Sequence, residues 1–324
     1  MLARGDGEIE GARLFTPGAG NHGGLARSLG DRPHLYPQRW DRVAKRVIDE
    51  NADITVLSSE LFEFIAPRAV LQAIEAHLPG LADTLRVVVY VRPHTARVLS
   101  QFAENVKLGH SMGSLDDFVS KFIKAGRLGF SKRIAKWQAV FGNRLVVRPF
   151  VRNRLEHEDV RHDFMTVVAN GARYHLRETE PDDNASLNIE DLALMRYLQN
   201  FFEVLSDVNP DHRVAFGKQL GRLLRDNPAP AAGQKLRLSE TLYARLAETC
   251  AEDAADMDAK WFGEPCFVTA LERANEGLVS EVQSLEAEDY FDAQTLRHAR
   301  VLAALSLKQM SGFSDTYAQV MNRL

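Results

Sequence analysis

From Trp40 to Glu50 the apolar residues Trp40, Val43, Val47 and Ile48 recur at helical spacing. The β-branched run Ile54-Thr55-Val56-Leu57 then predicts a short buried strand that ends at Ser58-Ser59-Glu60. Pro67 suits a first helical turn, and Val70, Leu71, Ile74 and Leu78 make an apolar stripe that Pro79-Gly80 closes. A second strand is predicted at Val87 to Val91 and is stopped by Arg92-Pro93. In the helix after it, Val98, Phe102 and Val106, flanked by Leu99 and Ala103, form the apolar face. Arg97, Ser100 and Glu104 share the opposite face. Helical segments at Leu115 to Ile123 and Ile134 to Phe141 precede Gly142-Asn143 and a third strand, Leu145-Val146-Val147. Before all of these, the glycines and prolines crowded into the first forty residues predict loop with short elements.

Strands that alternate with helices predict a parallel sheet covered on both faces. In such sheets ligands lie beyond the carboxyl ends of the strands, which draws attention to Ser58, Ser59, Glu60, Arg92 and Arg148. Past residue 184 the pattern turns helical, with Asn188 as a cap, Glu190 and Asp191 in the first turn, and Leu192, Met195, Leu198, Phe202 and Leu205 on one face. The proline-rich stretch 227–234 is the linker candidate, and it divides an α/β core at 1–226 from a helical C-terminal region at 227–324.

Composition narrows the classes. Of 324 residues, 45% are hydrophobic and 26% charged, an ordinary globular balance that argues against disorder and repeats. Forty Lys and Arg against 44 Asp and Glu give a net charge of -4, which removes the broad attraction that nucleic-acid binders use. Any bound anion is therefore held locally. Cys250 and Cys266 are too few for a disulfide framework or zinc cluster and read as reduced thiols. No apolar run approaches the ~18 residues of a membrane span, and residues 1–10 hold no apolar leader core. The expected location is cytoplasmic. No His spacing suggests a metal site.

Arg92 at a strand end and Ser100 two turns into the next helix form the main candidate pair. A guanidinium offers a planar fork to a phosphate dianion, and the hydroxyl can turn back toward the same group. The same spacing also fits an arginine paired with a carboxylate beside a solvated serine. Arg148, Arg152 and Arg154 add positive charge near another strand end, suited to a sulfated or phosphorylated ligand or to a solvated face. His22, in a glycine-rich loop, can titrate near neutrality or serve as a loop hydrogen-bonder. Trp137, Phe141 and Phe150 follow the apolar periodicity and read as core.

The stretch Val87-Val88-Val89-Tyr90-Val91-Arg92-Pro93 with Leu99-Ser100 resembles the 3'-phosphate signature of sulfotransferases that use 3'-phosphoadenosine 5'-phosphosulfate. Val56-Leu57-Ser58-Ser59-Glu60, Trp137 with Phe141-Gly142, Arg148-Pro149-Phe150 with Asp163-Phe164, residues 184–198 and Trp261-Phe262-Gly263 are similar to further motifs of the bacterial members, in the same order. The resemblance runs from about Asn21 to Phe267. It implies an α/β fold with a P-loop-like parallel sheet flanked by helices, extended by C-terminal helices. It implies transfer of a sulfuryl group from 3'-phosphoadenosine 5'-phosphosulfate to a hydroxyl of a glycan or glycolipid. Arg92 and Ser100 would hold the 3'-phosphate of the donor, and Glu60, with His22 as the alternative, would take the acceptor proton.

One part of the family pattern is absent. Members carry a strand and a K-x-G-T-x-x-L loop that wraps the 5'-phosphosulfate at a helix N-terminus. Arg4-Gly5-Asp6-Gly7 falls short of it, and the position of Asn21-His22 implies that roughly 30 residues, about one strand-loop-helix unit with a central strand, are missing. A truncated or inactive relative acting as a nucleotide-binding or interaction module is the alternative expectation.

Overall fold

A computed structural model describes residues 7–18, 21–111, 113–177, 186–205, 209–229 and 233–312. The elements run β1 (Gly7–Ile9), β2 (Leu14–Phe15), α1 (Gly23–Ser28), α2 (Tyr36–Glu50), β3 (Ile54–Thr55), α3 (Pro67–His77) and β4 (Val87–Val91). Next come α4 (His94–Lys107), α5 (Leu115–Lys124), α6 (Phe130–Phe141), β5 (Leu145–Pro149), α7 (Val160–Ala169) and β6 (Tyr174–Leu176). The remainder is helical: α8 (Ile189–Val204), α9 (Pro210–Asp226), α10 (Glu240–Met257), α11 (Phe267–Arg273) and α12 (Ala293–Gly312). The protein is α/β and mostly helical, with short parallel strands. No helix among the described residues is long and apolar enough to cross a membrane. Residues 4–6, 184 and 185, part of the motifs above, lie outside the described residues, as do 230–232 of the linker candidate.

The chain forms two compact units that interleave along the sequence. One comprises 1–91, 130–179 and 260–263, the other 92–129, 180–259 and 264–324. They divide the chain differently from the sequential split at 227, because α4 and α5 pack with the later helices.

In the first unit, α2 buries Trp40, Ala44 and Val47 at helical spacing against Leu25 of α1 and Ala73 and Ile74 of α3. Asn51, left-handed at φ 48°, ends α2 and turns the chain into β3. The single parallel sheet expected from the strand-helix alternation does not form among the described residues. Instead β2 pairs with β3 and β4 with β5, both parallel, while β1 pairs antiparallel with β6. Val87 to Tyr90 of β4 and Leu145 to Arg148 of β5 are half-buried, and burial is reached at Val91 and Pro149. Two-stranded pairs leave each strand with an unshared edge, so the full cover of a doubly wound sheet is not achieved. Phe141 is 2% exposed and stacks on Trp137 at 5.4 Å, in a cluster with Val70 and Leu71, as the apolar periodicity predicts.

The second unit is built around α4. Val98, Phe102 and Val106, one stripe of that helix, are each 0% exposed, and α5, α8, α9, α10 and α11 pack on α4. Asn188 caps α8 through the Asp191 N–H at 2.7 Å, as its position predicts. Ser114 and Asp117 close a capping box on α5. The C-terminal end of α4 is held by Gln199, whose Nε2 donates to the Lys107 carbonyl at 2.9 Å. α9 approaches the same carbonyl so closely that a Cβ on Gly217 would lie 2.0 Å from it.

Candidate functional site

Arg92 follows β4, and Pro93, with φ near -51°, directs the chain into α4. Ser100 stands two turns into that helix, and Arg92 Nη1 donates to its Oγ at 2.5 Å. Both side chains thus reach one spot from a strand end and a helix face. Because Ser100 accepts with a lone pair, its hydroxyl proton remains to be donated to an oxygen. The start of α4 is anchored by His94, 1% exposed, whose Nε2 lies 2.9 Å from Asp253 Oδ2 on α10. The His94 ring meets Phe267 edge-on at 5.7 Å. These contacts fix the backbone from which Arg92 extends.

His22 and Glu60 belong to the other unit, at the carboxyl ends of β2 and β3. His22 is 7% exposed. Its Nε2 faces the Pro17 carbonyl at 2.9 Å, while Nδ1 lies 3.1 Å from the Ser58 N and 3.3 Å from the Ser58 carbonyl oxygen. The His22 N–H also donates to the Ser58 carbonyl at 2.6 Å. The ring therefore joins the loop after β2 to the loop after β3, and both of its nitrogens are engaged. Glu60 is exposed at the first position of a short 3-10 turn, where the Ser59 side chain caps Leu61. Among the described residues Glu60 has no ion pair or hydrogen bond, whereas Glu63 of the same turn pairs with Arg133.

The ligand-directed reading of Arg148 is corrected by its partner. Its guanidinium makes two hydrogen bonds to the Asp163 carboxylate, one of them Nε to Oδ1 at 2.9 Å, so its charge is matched inside the protein. Asp163 is 1% exposed and also accepts from the Tyr90 hydroxyl at 2.6 Å and the Glu156 N–H at 3.1 Å. Burial pushes its carboxyl up, but the bonds from Arg148, Tyr90 and Glu156 outweigh burial and hold it below the usual carboxylate range. Burial first, and then the bond to Asp163, pushes the Tyr90 phenol well above its ordinary value. This network joins β4, β5 and α7, and from sequence Asp163 stood out through the family resemblance alone.

The second unit holds a cavity of about 220 Å³ lined by Ser114, Arg196, Arg237, Ser239, Gln283 and Glu286 among others. Arg196 Nη1 donates to Glu286 Oε1 at 2.9 Å, so the lining carries matched charges. Among the described residues no three His, Cys, Asp or Glu side chains are grouped to hold a metal ion. Burial pushes the Cys250 thiol up to about 12, with Asp253 adding to it, which keeps it protonated and unreactive. No family model, no curated protein and no solved structure matches this chain.

Proposed function

We propose that the chain takes the 3'-phosphate of an adenosine nucleotide at Arg92 and Ser100 and transfers a sulfuryl group from 3'-phosphoadenosine 5'-phosphosulfate to a hydroxyl of a glycan or glycolipid. The observation that carries this reading is the meeting of the Arg92 guanidinium and the Ser100 hydroxyl. Together they offer a charged donor and a neutral one to the same phosphate. The ordered motifs that resemble sulfotransferases support the rest of the assignment.

In the transfer, a new S–O bond forms to the acceptor oxygen as the S–O bond to the 5'-phosphate breaks. Adenosine 3',5'-bisphosphate leaves with the electron pair, and the acceptor proton goes to a base. The transition state is loose, so positioning and charge stabilisation supply most of the rate. In this reading Glu60 takes the proton, since it is exposed and its carboxylate is not committed to a protein partner among the described residues. His22 would have to break one of its loop-joining bonds to do so.

Incubating the chain with donor labelled in the sulfuryl group and a panel of neutral and acidic glycans tests the reaction. Label should move to a glycan, and Glu60→Gln should slow that transfer by about 10²- to 10⁴-fold. Nucleotide binding without transfer would instead give the module reading. A melting temperature raised by a uridine diphosphate sugar and not by adenosine 3',5'-bisphosphate would contradict both.

A further inference from the structure

With Trp40, Ala44 and Val47 in the core, helical spacing sets Arg39, Arg42 and Arg46 together on one adjoining flank of α2. The acidic residues of this helix are already engaged. Asp41 faces His77 Nδ1 at 2.9 Å, Asp49 holds Lys45 at 2.6 Å, and Glu50 lies 3.8 Å from Arg13. Among the described residues, none of the three arginines has a hydrogen bond or ion pair. In a chain of net charge -4 this is a local concentration of uncompensated positive charge.

Two of these arginines lie against neighbouring backbone, Arg39 beside the first turn of α1 and Arg46 beside Gly18 after β2. A Cβ on Gly24 would lie 1.8 Å from Arg39 Nη1, and one on Gly18 would lie 3.5 Å from Arg46 Nη1. The Arg39 guanidinium rests against the Gly24 backbone in space that a side chain would fill. Gly18 and the start of α1 follow the carboxyl end of β2 in a parallel pair, the usual ligand position of α/β folds. His22, just before α1, is bonded to Pro17 and to Ser58 of the loop after β3. Arg39 and Arg46 are separated by about 10 Å along the helix, a span similar to the spacing of anionic groups on successive disaccharides of an acidic glycan.

We infer that this flank binds sulfate or carboxylate groups of an acidic glycan, which makes the acceptor an anionic polysaccharide. The choice of a carbohydrate rests on the proposed sulfuryl transfer, while the choice of an anion rests on the three arginines. Nucleic acid is disfavoured because the aromatic residues of α2, Tyr36 and Trp40, pack against His77 and leave no stacking platform on the flank.

Calorimetric titration of the full chain with a chondroitin sulfate tetrasaccharide, and with neutral chitotetraose, tests the inference. The sulfated sugar should bind, weaken as salt is raised, and exceed the neutral one. The double variant Arg39→Ala/Arg46→Ala should lose at least about 10-fold in affinity for it through lost charge-assisted bonds. The double variant Arg39→Lys/Arg46→Lys, which keeps the charge, should retain part of the binding and guards against a folding defect. Undiminished binding by the alanine variant, equal binding of the neutral sugar, or no binding by the native chain would overturn the inference. So would tighter, arginine-dependent binding of a short single-stranded DNA. Arg92→Ala should leave sugar binding intact, so a failed nucleotide titration beside an intact sugar titration would sink the donor reading and leave the anion flank standing.

Discussion

Asp163 stays ionised although it is 1% exposed, because Arg148, Tyr90 and the Glu156 N–H together supply what water would. Removing it leaves a guanidinium and a phenol without their shared acceptor. Asp163→Ala should therefore cost about 2 to 3 kcal/mol in urea unfolding, moderated because Arg148 keeps contact with water. Its pH dependence follows from the depressed carboxyl. The unfolded chain takes up the proton near pH 4 and the folded one at lower pH, so the stabilisation is present above about pH 4 and fades as pH falls below it. A native chain and an Asp163→Asn variant with the same acid slope would contradict this account. His22 makes a different point at this scale: a histidine in a glycine-rich loop reads as a possible base, yet its partners Pro17 and Ser58 are fixed by folding and are invisible to local sequence.

Among the elements, the apolar pattern located β4 to the residue and α3 within one residue, because each is a dense apolar run or stripe bounded by proline. It missed β1 and β6, which hold three residues each and have no room to display a period. It also left the pairing of strands open, since a parallel partner is chosen by packing far along the chain. The Arg92 and Ser100 contact was legible as a strand-end and second-turn spacing. The arginine flank of α2 is equally present in the spacing 39, 42, 46, but spacing alone does not separate a binding face from a solvated one. Helix packing sets a sharper test at Gly217, where α9 meets the end of α4. A Cβ there would be 2.0 Å from the Lys107 carbonyl and 2.9 Å from Gln199 Nε2, so the helices must part. Gly217→Ala should lower stability by about 2 kcal/mol despite alanine's better helix propensity, whereas the neighbouring Lys218→Ala should change it by less than about 0.5 kcal/mol. A neutral or stabilising Gly217→Ala result would show that this close approach is absent.

At the scale of the whole molecule, the interleaving of two compact units explains why a sequential domain boundary was not legible: helices distant in sequence share the core around α4. Fold class survives from sequence to structure as α/β, while the sheet is reduced to short pairs. The functional reading depends on a nucleotide phosphate meeting Arg92 and Ser100. Its most direct measurement is calorimetric titration of adenosine 3',5'-bisphosphate into the native chain and into Arg92→Ala. Native binding that weakens by about 1.5 to 3 kcal/mol in the variant is the predicted result. No binding by the native chain, or the same affinity in both, would contradict the account.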